Sequence, residues 1–255
     1  MEREASICIT ARLSEEQKRE IEALGRACRA WEAVTQEPFT ENEENADPAL
    51  PCFYIYYENT YPISFLSLFI PDGRHAEVTG FTLPGYRKKG CFRELLDCAR
   101  RELSDRALTW HLVSDGKSGD AMAMIRHMNL EKSHSEMMMA APLEHLTGLE
   151  ARAKAEKAAV IRAEEECLLK SGERILGRCR LAYFPGIVYL YSFEIAEEER
   201  RKGYGRLFLK LLAESQEEGI HTMLLQVGSG NEAACRLYGS CGFTVTEQLD
   251  YYPVG

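Results

Sequence analysis

The run Arg200-Arg201-Lys202-Gly203-Tyr204-Gly205 sets three cations beside two glycines at a point where the residue pattern changes period. Before it, Ile187 to Ile195 is β-branched and aromatic and reads as a buried strand. After it, Leu207, Phe208, Leu211 and Leu212 share one helical face. The glycines therefore fall where a strand hands over to a helix N-terminus. Unpaired backbone N–H groups and the positive end of the helix dipole converge there, and glycine removes the Cβ atoms that would hold a ligand off. An anionic phosphate group suits such a place. The spacing is neither G-x-x-x-x-G-K-S/T nor G-x-G-x-x-G with a downstream acid, so the two commonest nucleotide loops are excluded. A second chemical candidate lies just upstream. Glu194 is an ionisable residue in an otherwise apolar strand, which is costly unless it faces a cleft or the solvated strand end. Glu77 holds the matching place in an earlier strand, and Tyr189 and Tyr191 are weaker cleft-lining candidates.

Arg200-x-x-Gly203-x-Gly205 resembles the acyl-CoA diphosphate loop of the GCN5-related N-acetyltransferase (GNAT) superfamily, Gln/Arg-x-x-Gly-x-Gly/Ala. Downstream, Asn231-x-x-Ala234-x-x-Leu237-Tyr238 and then Gly242-Phe243 resemble the second signature of that family, in the same order along the chain. The resemblance covers residues from about 150 to the end. It implies an α/β (α+β) fold with a mixed central sheet flanked by helices, and N-acetyl transfer from acetyl-CoA to a primary amine by direct attack. Ile195, Arg200, Arg201, Lys202, Gly203, Tyr204, Gly205 and Asn231 would then contact coenzyme A. Tyr238 would protonate the departing sulfur; a phenol (pKa ~10) holds its proton at neutral pH. Glu194 would be the base. The bland readings stand beside these: a core tyrosine at 238, a plain helix cap at Asn231, a solvated strand end at Glu194. Cys235 shares a helix face with Tyr238 but has no activating histidine near it in sequence, so an acyl-enzyme is disfavoured.

The elements that position these residues repeat. Strand, basic residues, glycine and helix occur first at His75–Leu83 and Arg87-Lys88-Lys89-Gly90-Cys91-Phe92, about 110 residues earlier, a distance suited to a duplicated domain and too long for a solenoid period. This earlier copy departs from the motif at Phe92, which would either crowd a diphosphate or pack beneath its helix. It also lacks the Leu-Tyr pair, and Asn129-Leu130 stands in place of Gly-Phe. The expected organisation is two tandem GNAT-like lobes, 1–142 a diverged copy and 143–255 the catalytic one. Around them the sequence predicts a strand at Ser6–Ala11, a helix capped by Ser14, a polar loop over 35–51 and an aromatic hairpin at Cys52–Tyr57 and Ile63–Ile70. It also predicts one or two long exposed helices over Leu143–Leu169, where Ala, Glu, Lys and Arg dominate. The second half is short of strands and is expected to borrow the last strand of the first, at Ser133–Ala140.

Composition narrows the partners. A net charge of −9 over 255 residues argues against nucleic acid, and no apolar run approaches a membrane span. Nine cysteines without a C-x-x-C pair signal neither zinc nor a disulfide framework, so no metal is expected, and reduced thiols in the cytoplasm are the default. The acceptor is expected to be a small-molecule or peptide amine, and a homodimer remains open. Two other readings survive: a non-catalytic acyl-CoA sensor or scaffold, and an acyltransferase using another chain or acceptor.

Overall fold

A computed structural model describes residues 5–32, 34–37, 39–150, 158–163 and 166–255. The chain divides into two compact units, one formed by Met1–His134 with Leu249–Gly255, the other by Ser135–Gln248.

The first unit opens with β1 (Ala5–Thr10) and α1 (Glu15–Trp31). A capping box starts α1: Gln17 N–H donates to Ser14 Oγ and the Gln17 side chain accepts from Ser14 N–H. Ile21, Leu24 and Cys28, at helical spacing, are buried on one face. Then come β2 (Phe53–Glu58), β3 (Tyr61–Phe69), β4 (His75–Thr82), α2 (Cys91–Glu102), β5 (Thr109–Ser114) and α3 (Gly119–His127). Strands β1 to β4 pair antiparallel in order. The β4–β5 pair is parallel and runs only from His75↔Thr109 to Val78↔Leu112.

The second unit comprises β6 (His134–Pro142), α4 (Leu143–Thr147), β7 (Ala158–Arg162), β8 (Cys167–Ser171), β9 (Arg174–Phe184), β10 (Ile187–Ile195), α5 (Tyr204–Glu214), β11 (Thr222–Gly228) and α6 (Glu232–Ser240). The final strand, β12 (Thr244–Val254), ends in the first unit, where Asp250–Val254 pair antiparallel with β5. In the second unit β7 to β10 pair antiparallel in order, β10–β11 is parallel, and β6 closes the series antiparallel to β11. Both units thus have one pairing scheme: four strands antiparallel in series, a short parallel pair, then an antiparallel last strand. In each, that last strand follows the other unit's final helix in sequence.

The long helices expected over 143–169 do not form. Leu143–Thr147 is a short helix, and Ala158–Arg162 and Cys167–Ser171 are strands; residues 151–157 and 164–165 of that stretch lie outside the described residues. Helix propensity lost to pairing. With Val160, Leu169 and Cys167 turned into the core beside β9, the stretch supplies the strands that the second unit would otherwise lack. The core of that unit gathers Val188, Leu190, Met223 and Leu225 from the central strands and Phe208, Leu209 and Leu212 from α5.

Candidate active site

Four pairs, from Ile187↔Thr222 to Leu190↔Leu225, hold β10 to β11, and no further pair follows. The cause lies in β10. Its register against β9 shifts between Tyr191 and Glu194, and Ser192 takes a left-handed φ of 51°. Such a bulge drops residues out of the ladder and bends the strand. The opening that results is a pocket of about 240 Å³, walled by Tyr191, Ser192 and Phe193 of β10 and by Gln226 and Gly228 of β11, with Asn231 and Tyr238 at the α6 side.

The basic loop begins where β10 ends. A 3-10 turn at Glu197–Glu199 leads to Arg200 in an extended conformation, Arg201 at φ 61° and Gly203 at φ 89°, and α5 starts at Tyr204. Only glycine adopts a φ near +90° without strain. The first helical bond of α5 runs from Leu207 N–H to Gly203 O, so the N–H groups of Tyr204, Gly205 and Arg206 have no acceptor within the helix, and no side chain caps them. The cations divide their work. Arg200 Nε donates to Ile195 O at 3.1 Å and its guanidinium lies 3.6 Å from Glu194, which fixes the loop to the strand end. Lys202 pairs with Glu199 at 3.1 Å; Glu199 is buried, also accepts from Arg174, and has its pKa lowered by the Lys202 contact first and by Arg174. Arg201 is exposed and makes no ion pair among the described residues. Gly205 is small for a neighbour's sake, since a Cβ there would meet Leu237 Cδ2 of α6 at 2.8 Å.

Asn231 caps α6, its Oδ1 accepting from Ala234 N–H at 3.2 Å, and it also lines the pocket, so both readings of that residue hold. Tyr238 is 6% exposed, packs against Phe193 and Phe243 with ring centroids 6.2 and 5.5 Å away, and reaches the pocket. Burial, with the nearby thiols of Cys179, Cys235 and Cys241, pushes its phenol up to about 12. It therefore keeps its proton near neutrality and is able to donate.

The other expected residues fall elsewhere. Glu194 is exposed, is tied to Arg200 and does not line the pocket. Ile195 gives its carbonyl to Arg200 and its side chain to the core. Tyr191 lines the pocket and stacks on Tyr189 at 6.1 Å. Cys235 Sγ donates to Gly228 O, as a half-buried thiol. Glu77 belongs to the first unit and accepts from Tyr251 Oη at 3.2 Å. Three contributors went unread in the sequence. Ser192 owes its place to a bulge hidden in a strand-like run. Gln226 lines the pocket and donates to Glu136 of β6. Glu136 in turn raises Tyr189 after burial does. Only the register of β6 on β11, with Glu136 opposite Gly228, brings that carboxylate here.

This site, with its loop and its pocket, lies within the stretch 131–243 that matches the model of the Acetyltransferase (GNAT) family. The match spans somewhat under half of the chain, and over that stretch the second unit is similar to a GNAT domain. Similar solved structures extend the likeness of fold to both units. A GNAT protein from Sphaerobacter thermophilus has a TM-score of 0.73 at 14% identity, covering 97% of this chain and 95% of that one. A tandem GNAT protein from the clavulanic acid biosynthesis pathway gives 0.67 at 14% identity, covering 98% of each. In sequence, the [ribosomal protein bS18]-alanine N-acetyltransferase of Escherichia coli K12 is 36% identical over 66 residues. That alignment takes in 25% of this chain and 45% of the relative, so the chain spans under half the length of the curated relatives it matches. No group of His, Cys, Asp or Glu suited to a metal occurs among the described residues, and no described helix is long and apolar enough to cross a membrane.

Proposed function

We propose that the second unit transfers an acetyl group from acetyl-CoA to a primary amine by direct attack. One observation carries the reading: in a single unit, a helix start with uncapped N–H groups stands beside a strand split whose wall holds a protonated, buried phenol. Acetyl-CoA supplies an acyl group already activated as a thioester. The N–H groups of Tyr204, Gly205 and Arg206, with the unpaired Arg201, would hold its diphosphate. Ser192 and Phe193, which the bulge removes from the β9 ladder, line the pocket, and their backbone N–H groups would serve a carbonyl oxygen that gains charge there. Tyr238 donates its proton to the leaving sulfur. Gly203 and Gly205 keep side chains off the cradle and off α6, and Arg200 acts by stapling the loop.

Glu194, expected as the base, is better suited to anchoring Arg200, and the attacking amine would pass its proton to solvent. Glu136, the hydrogen-bond partner of the pocket-lining Gln226, would add negative charge that favours a cationic amine. A peptide α-amine, the acceptor class in the name of the E. coli relative, is one such group.

The test is thioester consumption from acetyl-CoA across a panel of small amines and peptide N-termini. With any active acceptor, Tyr238→Phe should lower kcat by about 10²-fold or more while the acetyl-CoA dissociation constant stays within about threefold. An unchanged kcat would make Tyr238 structural. Tight coenzyme A binding without consumption by any amine would favour the sensor reading.

A further inference from the structure

The loop of the first unit repeats that of the second almost angle for angle. Leu83 (φ −52°, ψ 137°) matches Ala196 (−49°, 135°), and a 3-10 turn at Pro84–Tyr86 matches the one at Glu197–Glu199. Arg87 (−66°, 155°) matches Arg200 (−63°, 154°), Lys88 (φ 62°) matches Arg201 (61°), and Gly90 (91°, −9°) matches Gly203 (89°, 1°). The staple is repeated as well: Arg87 Nε donates to Thr82 O at 3.1 Å, as Arg200 Nε does to Ile195 O. Helix α2 again begins without a side-chain cap, and its first backbone bond runs from Glu94 N–H to Gly90 O. Phe92 does not block this cradle. Its ring turns inward, onto the place that Gly80 of β4 leaves free, where a Cβ would lie 3.0 Å from Phe92 Cε2.

What differs is the space behind the loop. In the second unit Gly205 lets Leu237 of α6 close on α5, and the pocket holds about 240 Å³. In the first, Phe92 occupies the position of Gly205, and one cavity of about 730 Å³ runs from the loop Arg87–Gly90 and Glu32, Val34 and Gln36 to α2, α3 and the β4–β5 split. Its deep wall is apolar: Phe92, Leu96, Leu112, Met124, Ile125 and Met128. Ser118 caps α3 as Asn231 caps α6, each accepting from the third residue on, and seven residues beyond the cap Ile125 stands where α6 carries Tyr238. No bulge interrupts β4, whose register on β3 is unbroken from Phe69↔Glu77 to Ser64↔Thr82.

We propose that the first unit binds a coenzyme A thioester carrying an apolar acyl chain longer than acetyl, and holds it without turnover. The first-turn N–H groups of α2 take the diphosphate, with Lys88, Lys89 and Arg93 as the cations at the mouth; Arg87 is committed to Glu32 and Asp120 at 2.6 and 3.1 Å. Lys88 exchanges its 3.0 Å contact with Asp120 for the ligand. The chain lies against the methionines and Ile125, which offers a leaving sulfur no proton. This proposal rests on the reading of residues 200–205 as a diphosphate cradle, and the two are separable by experiment.

Octanoyl-CoA and acetyl-CoA are titrated calorimetrically into the full chain. The wild type should take up two equivalents of octanoyl-CoA, and the site removed by Gly90→Glu should prefer octanoyl-CoA over acetyl-CoA by about tenfold or more, since each buried methylene adds affinity. Gly203→Glu should remove the other equivalent. Ala121→Trp fills the cavity from α3 and leaves the loop backbone alone; it should abolish the octanoyl preference at an unchanged melting temperature. Binding of one equivalent only, lost in Gly203→Glu and kept in both Gly90→Glu and Ala121→Trp, overturns the proposal and spares the catalytic reading. Two equivalents of which Gly90→Glu removes one and Gly203→Glu none support it and displace the catalytic loop. Two equivalents untouched by any variant overturn both.

Discussion

The proposed reaction assigns donation to the leaving sulfur to Tyr238, and the burial of that residue can be tested without an acceptor amine. In the unfolded chain a tyrosine ionises near pKa 10; in the folded unit burial pushes this one up to about 12. The raised folded value means that its contribution to stability is fully present below about pH 10 and is lost as pH rises through about 12. At the upper limit the loss is on the order of 3 kcal/mol. By about pH 11 the unfolded phenol is mostly ionised and the folded one mostly not, which costs the native state on the order of 1 kcal/mol relative to about pH 8. Tyr238→Phe keeps the ring against Phe193 and Phe243 and removes the titration. In urea melts at the two pH values, the unfolding free energy of the wild type relative to that of the variant should therefore fall by about 1 kcal/mol at the higher pH. Other buried tyrosines, Tyr54 and Tyr57 among them, are raised too but cancel in the difference. Circular dichroism is the right probe, because Trp31 and Trp110 both lie in the first unit and their emission would report the wrong one. A change below about 0.5 kcal/mol would show Tyr238 titrating as an ordinary surface phenol. The dry wall assigned to it would not exist.

Two glycines near the loop separate soft crowding from hard. At Gly205 an added Cβ meets the tip of Leu237 at 2.8 Å, which a rotation relieves, and alanine also improves helix propensity; Gly205→Ala should stay within about 1 kcal/mol of wild type in thermal or urea melts. At Gly177 of β9 the Cβ meets Glu194 O at 2.7 Å, a backbone atom inside the β9–β10 ladder, so Gly177→Ala should cost about 1–3 kcal/mol and weaken coenzyme A binding in calorimetry. Glu199→Gln should lower the melting temperature at neutral pH by leaving Arg174 and Lys202 without their carboxylate. Because the Glu199 pKa is depressed from 4.5, the advantage of the wild type should be present above that value and fade as pH falls through the folded one.

The strand, loop and helix from Ile187 to Glu214 were legible because period, glycine and charge all change within a few residues, and so was their earlier counterpart at His75–Glu102. Two kinds of feature were not. Helix propensity over 143–169 is a local signal, and pairing with β9, a non-local one, overrode it. The pocket depends on Ser192 in a left-handed conformation within a run, Tyr-Ser-Phe-Glu-Ile, that reads as unbroken strand. Nothing in a serine announces a bulge. Glu194 was conspicuous for being charged in an apolar run, yet that bulge is what resets its register, and it comes to rest exposed against Arg200.

Comparison of the two loops shows what the motif encodes. They share the arginine, the basic pair and the left-handed glycine, and the backbones agree within about 10° at every residue compared. They differ at the last position, Gly205 against Phe92, with no consequence for the backbone. The arginine is thus required to tie the loop to the strand end, and the middle glycine to turn it. The final small residue answers a different demand, the approach of the next helix. Where that demand lapses, a phenylalanine turns inward beside Gly80 and lines a cavity of about 730 Å³ that reaches from the loop to α3. On the proposals above, the position of Gly205 and Phe92 would bear on the size of ligand tail admitted, and the exchange of tyrosine for isoleucine on the following helix would remove the proton donor. A duplicated unit built this way would retain a ligand's head group, change its tail and lose its reaction, each through a separate residue.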